Sequence, residues 1–501
     1  MNDVMFARGQ MAMSLAFHIV FAAIGVAMPL FMVLAEVQWR RTGQADWLAL
    51  AKRWAKGTAA LFAVGAVSGT ALSFELGLLF PGFMEHAGAV IGMPFSLEGF
   101  AFFTEAIFLG LYLYGWERLR PWAHVAAGVV VAASGVASAL FVTLANAWMN
   151  APRGFRVVDG AFVDVDPVAA MASPAAAHEV VHSVAAAYMA TAFAVAGVHA
   201  LALLRAPAPG GDGPGALAAG ALRAFHRKAL GLALAVGVPA ALLQPIVGHW
   251  SGQRVAALQP MKLAAMEWLV ETRAWAPLRL GPLKVPGGLS VMAYNRPDAV
   301  VHGLAEIPRA DWPHPLVHRA FDVMVGIGFA LAGLSLWAAW LWWRSRSRAP
   351  KADASGAAPV GWADGRRFLW ATVLAAPLGF VALEAGWVVT ELGRQPWVVY
   401  GVLRTADAAT PMRGLVVPFV TFTLLYAGLG LAVTAVVWRH VASTLRPAPP
   451  AGPRAEHGDH DDHGDHEHHD HDHHDHEHQD EHGPRPSHAE DRGEGRGGED
   501  P

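Results

Sequence analysis

Nine runs of about 20 or more mostly apolar residues recur along this chain, and they constrain its fold more than any other feature. A run of this length crosses a bilayer as a helix, because backbone amides inside lipid must bond within their own segment. We therefore predict an all-α, polytopic transmembrane bundle of about nine helices. The runs lie near residues 11–35, 57–80, 93–115, 122–146, 178–204, 225–248, 318–343, 367–391 and 414–437.

The composition also indicates a membrane protein. Of 501 residues, 54% are hydrophobic and 16% are charged, whereas soluble chains carry about a quarter charged residues. There is no cysteine, which excludes disulfides, iron–sulfur clusters, thiolate-bound haem and haem attached through paired cysteines. The first run is too long for the apolar part of a cleavable signal peptide, so we expect it to be the first membrane helix.

The distribution of lysine and arginine predicts how the helices cross the membrane. Basic residues concentrate in the connections after the first, third, fifth and seventh runs, whereas alternate connections such as 81–94 are nearly free of them. Because cytoplasmic loops carry the excess of positive charge, we predict an N-terminus outside and a C-terminus in the cytoplasm. The long segment 249–317 then lies outside; it carries several basic residues, but long segments follow this rule weakly.

Two parts of the chain differ in composition. We predict a membrane domain at residues 1–445 and a tail at residues 446–501, which is rich in proline and then in His, Asp and Glu. The tail cannot bury an apolar core, so we expect it to be disordered. His and Asp clusters can bind Zn, Ni or Cu; a solvated low-complexity tail is the alternative interpretation.

Titratable and metal-ligating side chains within the apolar runs are the candidate functional residues, because burying a charge in lipid is costly. His18, His182 and Met324 lie near the starts of runs that would lead inward, and Glu391 lies near the end of a run that would lead outward. The predicted topology therefore brings these four side chains to the outer half of the membrane.

Most of these residues also have a structural interpretation. His18 could be an interhelical hydrogen-bond partner, and His178 could lie at the membrane interface. Met324 could fill a packing gap, as methionine usually does. Glu391 and Arg394 could form an ion pair at a helix end.

Two carboxyl groups share one face of the third run. Glu98 and Glu105 are seven residues apart, and Glu105 would lie about 10 Å deeper towards the cytoplasm. Two unpaired carboxylates on one face are difficult to explain structurally, and their spacing suits a proton path.

The ligand types suit haem. His and Met together form an axial pair for a six-coordinate electron-transfer haem, whereas a single His or Glu leaves an iron position open for oxygen. Redox chemistry at haem is therefore a coherent interpretation of the outer-half residues.

Several motifs resemble subunit I of the cytochrome bd quinol oxidases, and the similarity runs through essentially all nine runs. The most specific stretch is Glu384–Trp387 with Gly393–Trp397. The other stretches are Ser96–Glu105, Gly115–Leu119, Ala145–Met149, Val181–Val184 and Gln259–Glu267.

The resemblance implies an electrogenic respiratory oxidase of the bacterial inner membrane. Such an enzyme oxidises quinol at the outer face and reduces O2 to water with protons from the cytoplasm. It implies a low-spin haem b, a high-spin haem b, and either haem d or a third haem b at the oxygen site. The expected partners are subunit II, a small single-span subunit, the quinone pool and O2, with no nucleic acid.

The resemblance also implies roles for the ligand residues. His182 and Met324 would ligate the low-spin haem. His18 and Glu391 would ligate the two high-spin haems, in an order that stays open. Arg394 would neutralise propionate or ligand charge.

Quinol and proton handling are implied in the same way. Lys262 and Glu267, in the outer segment 249–317, would bind quinol and take its protons. Glu98 and Glu105 would feed cytoplasmic protons towards the oxygen site. Two polar neighbours would assist them, Ser138 and Asn146.

The chain departs from the family pattern in three respects. Asp322 stands two residues before the ligand methionine, where some relatives would have a basic or polar residue. The outer segment is of the short type, which includes cyanide-insensitive oxidases, some with haem b in place of haem d. The tail has no counterpart in the family pattern.

Two other classes are competing interpretations. A metal transporter could carry such a tail, but the candidate residues do not form a His and carboxylate constellation within one pair of spans. A two-haem electron relay would show two histidine pairs on facing helices, whereas the first and fifth runs each supply one candidate ligand.

Overall fold

Long helices make up most of the chain. The computed structural model describes residues 3–207, 214–280, 283–348 and 362–445. Within these ranges, nine helical segments are long and apolar enough to cross a membrane. They are α1 (Asp3–Thr42), α2 (Ala45–Leu79), α3 (Pro81–Tyr114), α4 (Pro121–Asn150), α6 (Ala176–Arg205), α7 (Pro214–Leu258), α10 (Leu316–Arg348), α11 (Arg366–Ala375) with α12 (Leu378–Gly393), and α14 (Val416–Leu445). Four short helices lie between them: α5 (Pro167–Met171), α8 (Pro260–Met266), α9 (Gly288–Tyr294) and α13 (Thr405–Ala408).

The predicted all-α bundle of nine spans is confirmed, with differences in detail. Helices α1 and α7 extend well beyond the runs 11–35 and 225–248. The eighth span is interrupted, because α11 ends at Ala375 and α12 begins only at Leu378. Pro377 lies in the interruption, where its missing N–H and its ring are tolerated.

Small residues bring the central helices close together. Of the 18 consecutive residues that make up the most apolar stretch of α6, 67% are buried, compared with 6% in α14. Gly379 of α12 packs directly on the backbone of Ala190 in α6. On the other side of α6, a Cβ added to Gly237 of α7 would stand 2.8 Å from the Cβ of Ala192. Because helix association in lipid depends on close van der Waals packing, these small residues place α6 at the centre.

One end of the bundle, here called the loop end, carries compact connections. It has three antiparallel hairpins: β1 (Arg156–Val158) with β2 (Ala161–Val163), β3 (Leu278–Leu280) with β4 (Leu283–Val285), and β5 (Trp397–Val399) with β6 (Leu403–Arg404). Leu263 and Leu304, from the connection between α7 and α10, share a buried apolar cluster with Val389 of α12. The predicted outer segment 249–317 is therefore largely folded, although its first residues, up to Leu258, continue α7.

The opposite end, here called the basic end, holds the connections that are rich in lysine and arginine. Arg227 of α7 forms an ion pair with Asp364. Lys228 Nζ lies 2.6 Å from Asp46 Oδ2 at the start of α2. These pairs join α2, α7 and the segment before α11 at one end.

The tail at 446–501 lies outside the described residues, as does the predicted boundary after residue 445. Its metal binding and its disorder stay predictions from composition.

Candidate functional site

A buried asparagine at the loop end connects residues from three helices. Asn150, the last residue of α4, is 3% exposed. Its side-chain Nδ2 donates to Asn146 Oδ1 and to Glu179 Oε1, both at 3.0 Å. Its Oδ1 accepts a hydrogen bond from Lys262 Nζ at 2.8 Å. Because α4, α6 and α8 contribute one partner each, this contact fixes α8 against the bundle.

Glu391 and Arg394 continue this network on α12. Asn146 Nδ2 donates to Glu391 Oε1 at 2.6 Å, and Arg394 binds the other carboxylate oxygen. Arg394 is buried, whereas the side chain of Glu391 keeps 28% of its surface exposed. The suggested ion pair is therefore present, and part of the Glu391 side chain stays exposed.

The stem of Lys262 passes over a glycine of α12. A Cβ added to Gly393 would stand 2.9 Å from Lys262 Cγ, so a side chain there would displace the lysine. Burial lowers the pKa of Lys262 below its usual value, and the nearby Arg394 guanidinium lowers it further. The carboxylates Glu179 and Glu391 act in the opposite direction. Lys262 can therefore exchange its proton more readily than an exposed lysine.

Glu267 occupies separate surroundings at the other end of α8. It is the residue that follows the helix, and only 6% of it is exposed. Burial raises the pKa of its carboxyl to about 7, which a backbone hydrogen bond from Arg279 partly opposes. The charge of Asp322 raises the pKa further. Glu267 can therefore change protonation state near neutral pH.

Asp322, the departure from the family pattern, lies beside a histidine. Its Oδ2 is 3.6 Å from Nε2 of His318, four residues earlier on α10. His318 Nδ1 lies 2.7 Å from the carbonyl oxygen of Met266, so this ring donates a hydrogen bond to the end of α8. The acidic side chain thus lies between α10 and the segment that carries Glu267.

His182 of α6 has a buried ring nitrogen that is free to bind. Its Nδ1 has no hydrogen-bond partner in the part of the chain that the structure describes. Its carbonyl oxygen accepts a bond from Gln244 Nε2 of α7 at 3.1 Å. A Cβ on Gly248, also in α7, would stand 3.7 Å from His182 Cε1. Gly248 therefore leaves space beside the imidazole.

A second histidine lies one turn before His182. His178 is 3% exposed, and its Nδ1 lies 3.2 Å from Ser251 Oγ. Its Nε2 has no partner among the described residues. His178 is therefore buried within the protein, and it is a rival to His182 as a ligand.

Met324 lies near the loop end of α10, eight residues after its first residue. Its Sδ faces α12, where a Cβ on Gly386 would stand 3.2 Å away. On the same helix, the buried Oε1 of Glu384 has no partner among the described residues. Gly386 therefore leaves space beside the Met324 sulfur.

His18 has one nitrogen engaged and one available. Its Nδ1 lies 3.0 Å from Ser68 Oγ, and the Ser68 hydroxyl donates to the Val64 carbonyl at 2.9 Å. The hydroxyl must then accept from Nδ1–H, which leaves Nε2 unprotonated, the form that binds a metal. Gly69 is required beside this ring, because a Cβ there would stand 2.9 Å from His18 Cε1.

The two carboxyl groups of α3 have different neighbours. Ser138 Oγ of α4 donates to Glu98 Oε1 at 2.9 Å, which is the predicted pairing. Glu105 is 5% exposed and lies against Gly135, where a Cβ would stand 3.4 Å from its Oε2. Asn146, the other expected neighbour of this pair, instead donates to Glu391.

The donor set fits haem better than a bare metal ion. No group of three or more His, Cys, Asp or Glu side chains within the described residues could hold a metal ion. Haem supplies four nitrogens of its own, so one or two axial side chains suffice. His182 has an unpartnered buried nitrogen, Met324 a sulfur beside Gly386, and His18 an available Nε2. These residues could hold haem iron, and Arg394 could bind an anionic group nearby.

Sequence reasoning missed three members of the network. They are Asn150, Glu179 and Gln259. Gln259 Nε2 donates to the Asn150 carbonyl at 2.8 Å, immediately before the proline that starts α8. The four-residue spacing of Asn146 and Asn150 on one helix face was a signal that could have revealed part of this network.

Comparisons with known proteins agree on one family. A family model for cytochrome bd terminal oxidase subunit I matches residues 6–445. A Bacillus subtilis (strain 168) protein described as a cytochrome bd menaquinol oxidase subunit I is 36% identical over 453 residues, covering 87% of this chain and 96% of its own. The cytochrome bd ubiquinol oxidase subunit 1 of the same organism is 28% identical over 468 residues, covering 88% and 94% of the two chains.

A solved structure has the same fold. It is the bd oxidase from Geobacillus thermodenitrificans, which matches with a TM-score of 0.77 at 37% sequence identity. The match covers 88% of this chain and 99% of that chain.

Proposed function

Because the chain belongs to the family of cytochrome bd terminal oxidase subunit I, we propose that it is the haem-carrying subunit of a respiratory quinol oxidase in the bacterial inner membrane. It oxidises quinol at the loop end and reduces O2 to water through three haems. Protons for that reduction come from the cytoplasm, and quinol protons leave on the other side. The enzyme thereby generates a membrane potential.

One observation carries this proposal: the polar network links the proposed quinol residue to a proposed haem ligand. Lys262 bonds to Asn150, Asn150 bonds to Asn146, and Asn146 bonds to Glu391. Three hydrogen bonds therefore separate the outer segment from the carboxylate on α12. A buried network with this many satisfied partners holds its members in fixed positions, as electron transfer over a short distance needs.

The available donor atoms support the haem ligands that the family resemblance implies. His182 and Met324 would ligate the low-spin haem b, and His18 and Glu391 would ligate the two high-spin haems. One high-spin haem is a haem b, and the oxygen-binding one is either haem d or a third haem b. When bound, the haems supply the one-electron and O2 chemistry, and this chain supplies ligands, charge and proton access.

Quinol binds at α8 and gives its protons to this segment. Lys262, with its lowered pKa, donates a hydrogen bond to a quinol oxygen. Glu267, whose carboxyl has a pKa of about 7, accepts a proton when it is ionised. Arg394, close to Lys262 and Glu391, balances negative charge on the cofactor side.

Protons from the cytoplasmic side pass along α3. Glu105 is deeply buried beside glycines of α1 and α4, and Glu98 lies two turns further towards the loop end. The Ser138 hydroxyl holds the Glu98 carboxyl in place. Subunit II and a small single-span subunit complete the active complex.

Variants of the two α6 histidines test the ligand assignment. In the purified complex, His182→Ala should remove the low-spin haem band from the reduced-minus-oxidised visible spectrum and abolish quinol oxidation. The cause is loss of one of two axial ligands. His178→Ala, one turn earlier on the same helix, should keep that band.

A pyridine haemochrome analysis of the same samples counts the haems. Loss of the band in His178→Ala but not in His182→Ala would overturn the ligand assignment. A wild-type complex without haem bands would overturn the proposed function.

A further inference from the structure

A second polar stripe lies between α1 and α2, outside the network described above. Gln10, Ser14 and His18 follow one another at four-residue spacing and so share one face of α1. His18 meets Ser68 of α2 at 3.0 Å, and Gln10 Nε2 donates to Glu75 Oε1 of α2 at 3.1 Å. This stripe, the α1–α2 seam, runs about 12 Å from His18 towards the loop end.

Four polar atoms of the seam lack hydrogen-bond partners among the described residues: Gln10 Oε1, Ser14 Oγ, Glu75 Oε2 and Tyr426 Oη. Their residues are 2%, 0%, 2% and 4% exposed, so bulk solvent does not satisfy these atoms. Ser14 lies within hydrogen-bonding reach of both Glu75 and Tyr426, the latter from α14, but neither contact has the geometry of a hydrogen bond. The unpartnered atoms therefore come from three helices and converge on one place.

Ordered water is the ligand that can form hydrogen bonds with such a group of buried, unpaired polar atoms. Buried polar atoms in proteins are almost always paired, and an internal water molecule pairs two to four of them at once. The seam offers acceptors on Gln10 and Glu75 and hydroxyls on Ser14 and Tyr426. Without water, the Gln10 amide oxygen would have no partner, and Ser14, Glu75 and Tyr426 would have only one another.

We propose that the α1–α2 seam holds a cluster of ordered water molecules in which Glu75 takes up and releases a proton as the iron site at His18 changes charge. The coupling between the Glu75 proton and the iron site rests on the proposed function. Nothing in the proposed proton path along α3 uses Glu75.

The neighbours of Glu75 explain why it is the proton-holding group. They are an amide, a hydroxyl and a phenol, rather than a lysine or arginine. An ionised carboxylate here would be a buried charge without a cation, so the neutral acid and water-assisted proton exchange are favoured. Along the helix face, Ser14 lies midway between Gln10 and His18, and it continues the water path towards the iron site.

The hydration itself is tested on the intact oxidase complex by cryo-electron microscopy at a resolution that shows water. We expect density between the Gln10, Ser14, Glu75 and Tyr426 side chains. Ordered side chains with an empty space between them, or in direct contact with one another, would overturn the proposal whether or not haem is bound.

The proton exchange is tested by redox-difference infrared spectroscopy of the same complex. We expect a carboxylic C=O band that shifts in heavy water, is lost in Glu75→Gln and moves in Glu75→Asp. Thr58→Val is the matched control, because this buried α2 hydroxyl already bonds to the Trp54 carbonyl at 2.9 Å.

The two possible failures are distinguishable. An unchanged band in Glu75→Gln, in a complex with normal haem absorption, would overturn the role of Glu75 and leave the proposed function intact. A complex without haem absorption would overturn the proposed function, and the water density would still decide whether the seam is hydrated.

Discussion

At the scale of single residues, Asn150 determines how the candidate site is assembled. One oxygen and one amide nitrogen serve Lys262, Asn146 and Glu179 at the same time. Neither Asn146 nor Glu179 is near Lys262 in sequence. The spacing of Asn146 and Asn150 on α4 indicates a shared helix face, but it does not indicate that Asn150 also joins α6 and α8.

Glu267 provides a pH prediction. Its carboxyl has a pKa raised to about 7 by burial, so it is mostly protonated below that pH and ionised above it. Only the ionised form can accept a quinol proton, so the rate of quinol oxidation should rise as the pH increases through about 7. Glu267→Gln should lower the rate by about a hundredfold or more and remove this rise. Steady-state oxygen consumption from about pH 6 to about pH 8.5 measures both effects.

Glu306 is the matched control for Glu267. It lies in the same segment, 249–317, and hydrogen bonds from Thr272 and His302 lower the pKa of its exposed carboxyl. It is therefore ionised across the whole range, and Glu306→Gln should leave the profile unchanged. A Glu267→Gln enzyme that kept the rise near pH 7 would contradict the assigned base.

At the scale of elements, apolar length predicted the number of spans but not where one of them breaks. The run 367–391 indicates one continuous helix, whereas the chain forms α11 and α12 with a gap at 376–377. The second part carries Gly379, Glu384, Gly386 and Glu391 on a separately packed helix. Proline marks a possible break, but only packing against α6 and α10 decides the direction that α12 takes.

The contact between α12 and α6 should be sensitive to a single methyl group. Gly379 packs on the Ala190 backbone with no room for a Cβ. Gly379→Ala should destabilise the complex by about 1–3 kcal/mol, as overpacking of close interfaces usually does. It should also perturb haem binding, because α12 carries Glu391, a proposed haem ligand. Thermal unfolding of the detergent-solubilised complex, followed by haem absorbance, measures both effects.

Gly231→Ala in α7 is the control, because a Cβ there meets nothing within 4 Å. Both substitutions add the same methyl group to a membrane helix, so the difference between them reports packing. Equal melting temperatures for the two variants would show that α6 and α12 are not in close contact.

At the scale of the whole molecule, the two ends of the bundle differ in charge and in structure. The basic end holds the Arg227–Asp364 and Lys228–Asp46 pairs, and the loop end holds the hairpins and the candidate site. The charge rule for cytoplasmic loops therefore predicts that the basic end is cytoplasmic.

Single cysteines test this orientation, because the natural chain has none. Val157→Cys places a thiol on an exposed strand at the loop end, and Gln44→Cys places one at the exposed basic end. In intact cells, a membrane-impermeant maleimide should label only Val157→Cys. Labelling of only Gln44→Cys would reverse the topology, and both variants should label after the membrane is permeabilised.

The sequence by itself determined the class of this protein and most of its candidate residues. Apolar length fixes helices, because lipid offers backbone amides no other partner, and motifs such as Gly393–Trp397 carried the family resemblance. Sequence also singled out His18, His182, Met324 and Glu391, since such side chains are rare in apolar runs.

Only the tertiary structure decided which side chains meet. It assigned Asn146 to Glu391 instead of the α3 carboxyl pair, and it joined Gln10 to Glu75 across 65 positions of sequence. Hydrogen bonds act over about 3 Å, and helix packing sets which faces come that close. Local patterns record the face of a residue but not its partner, because the partner depends on how the helices pack around α6.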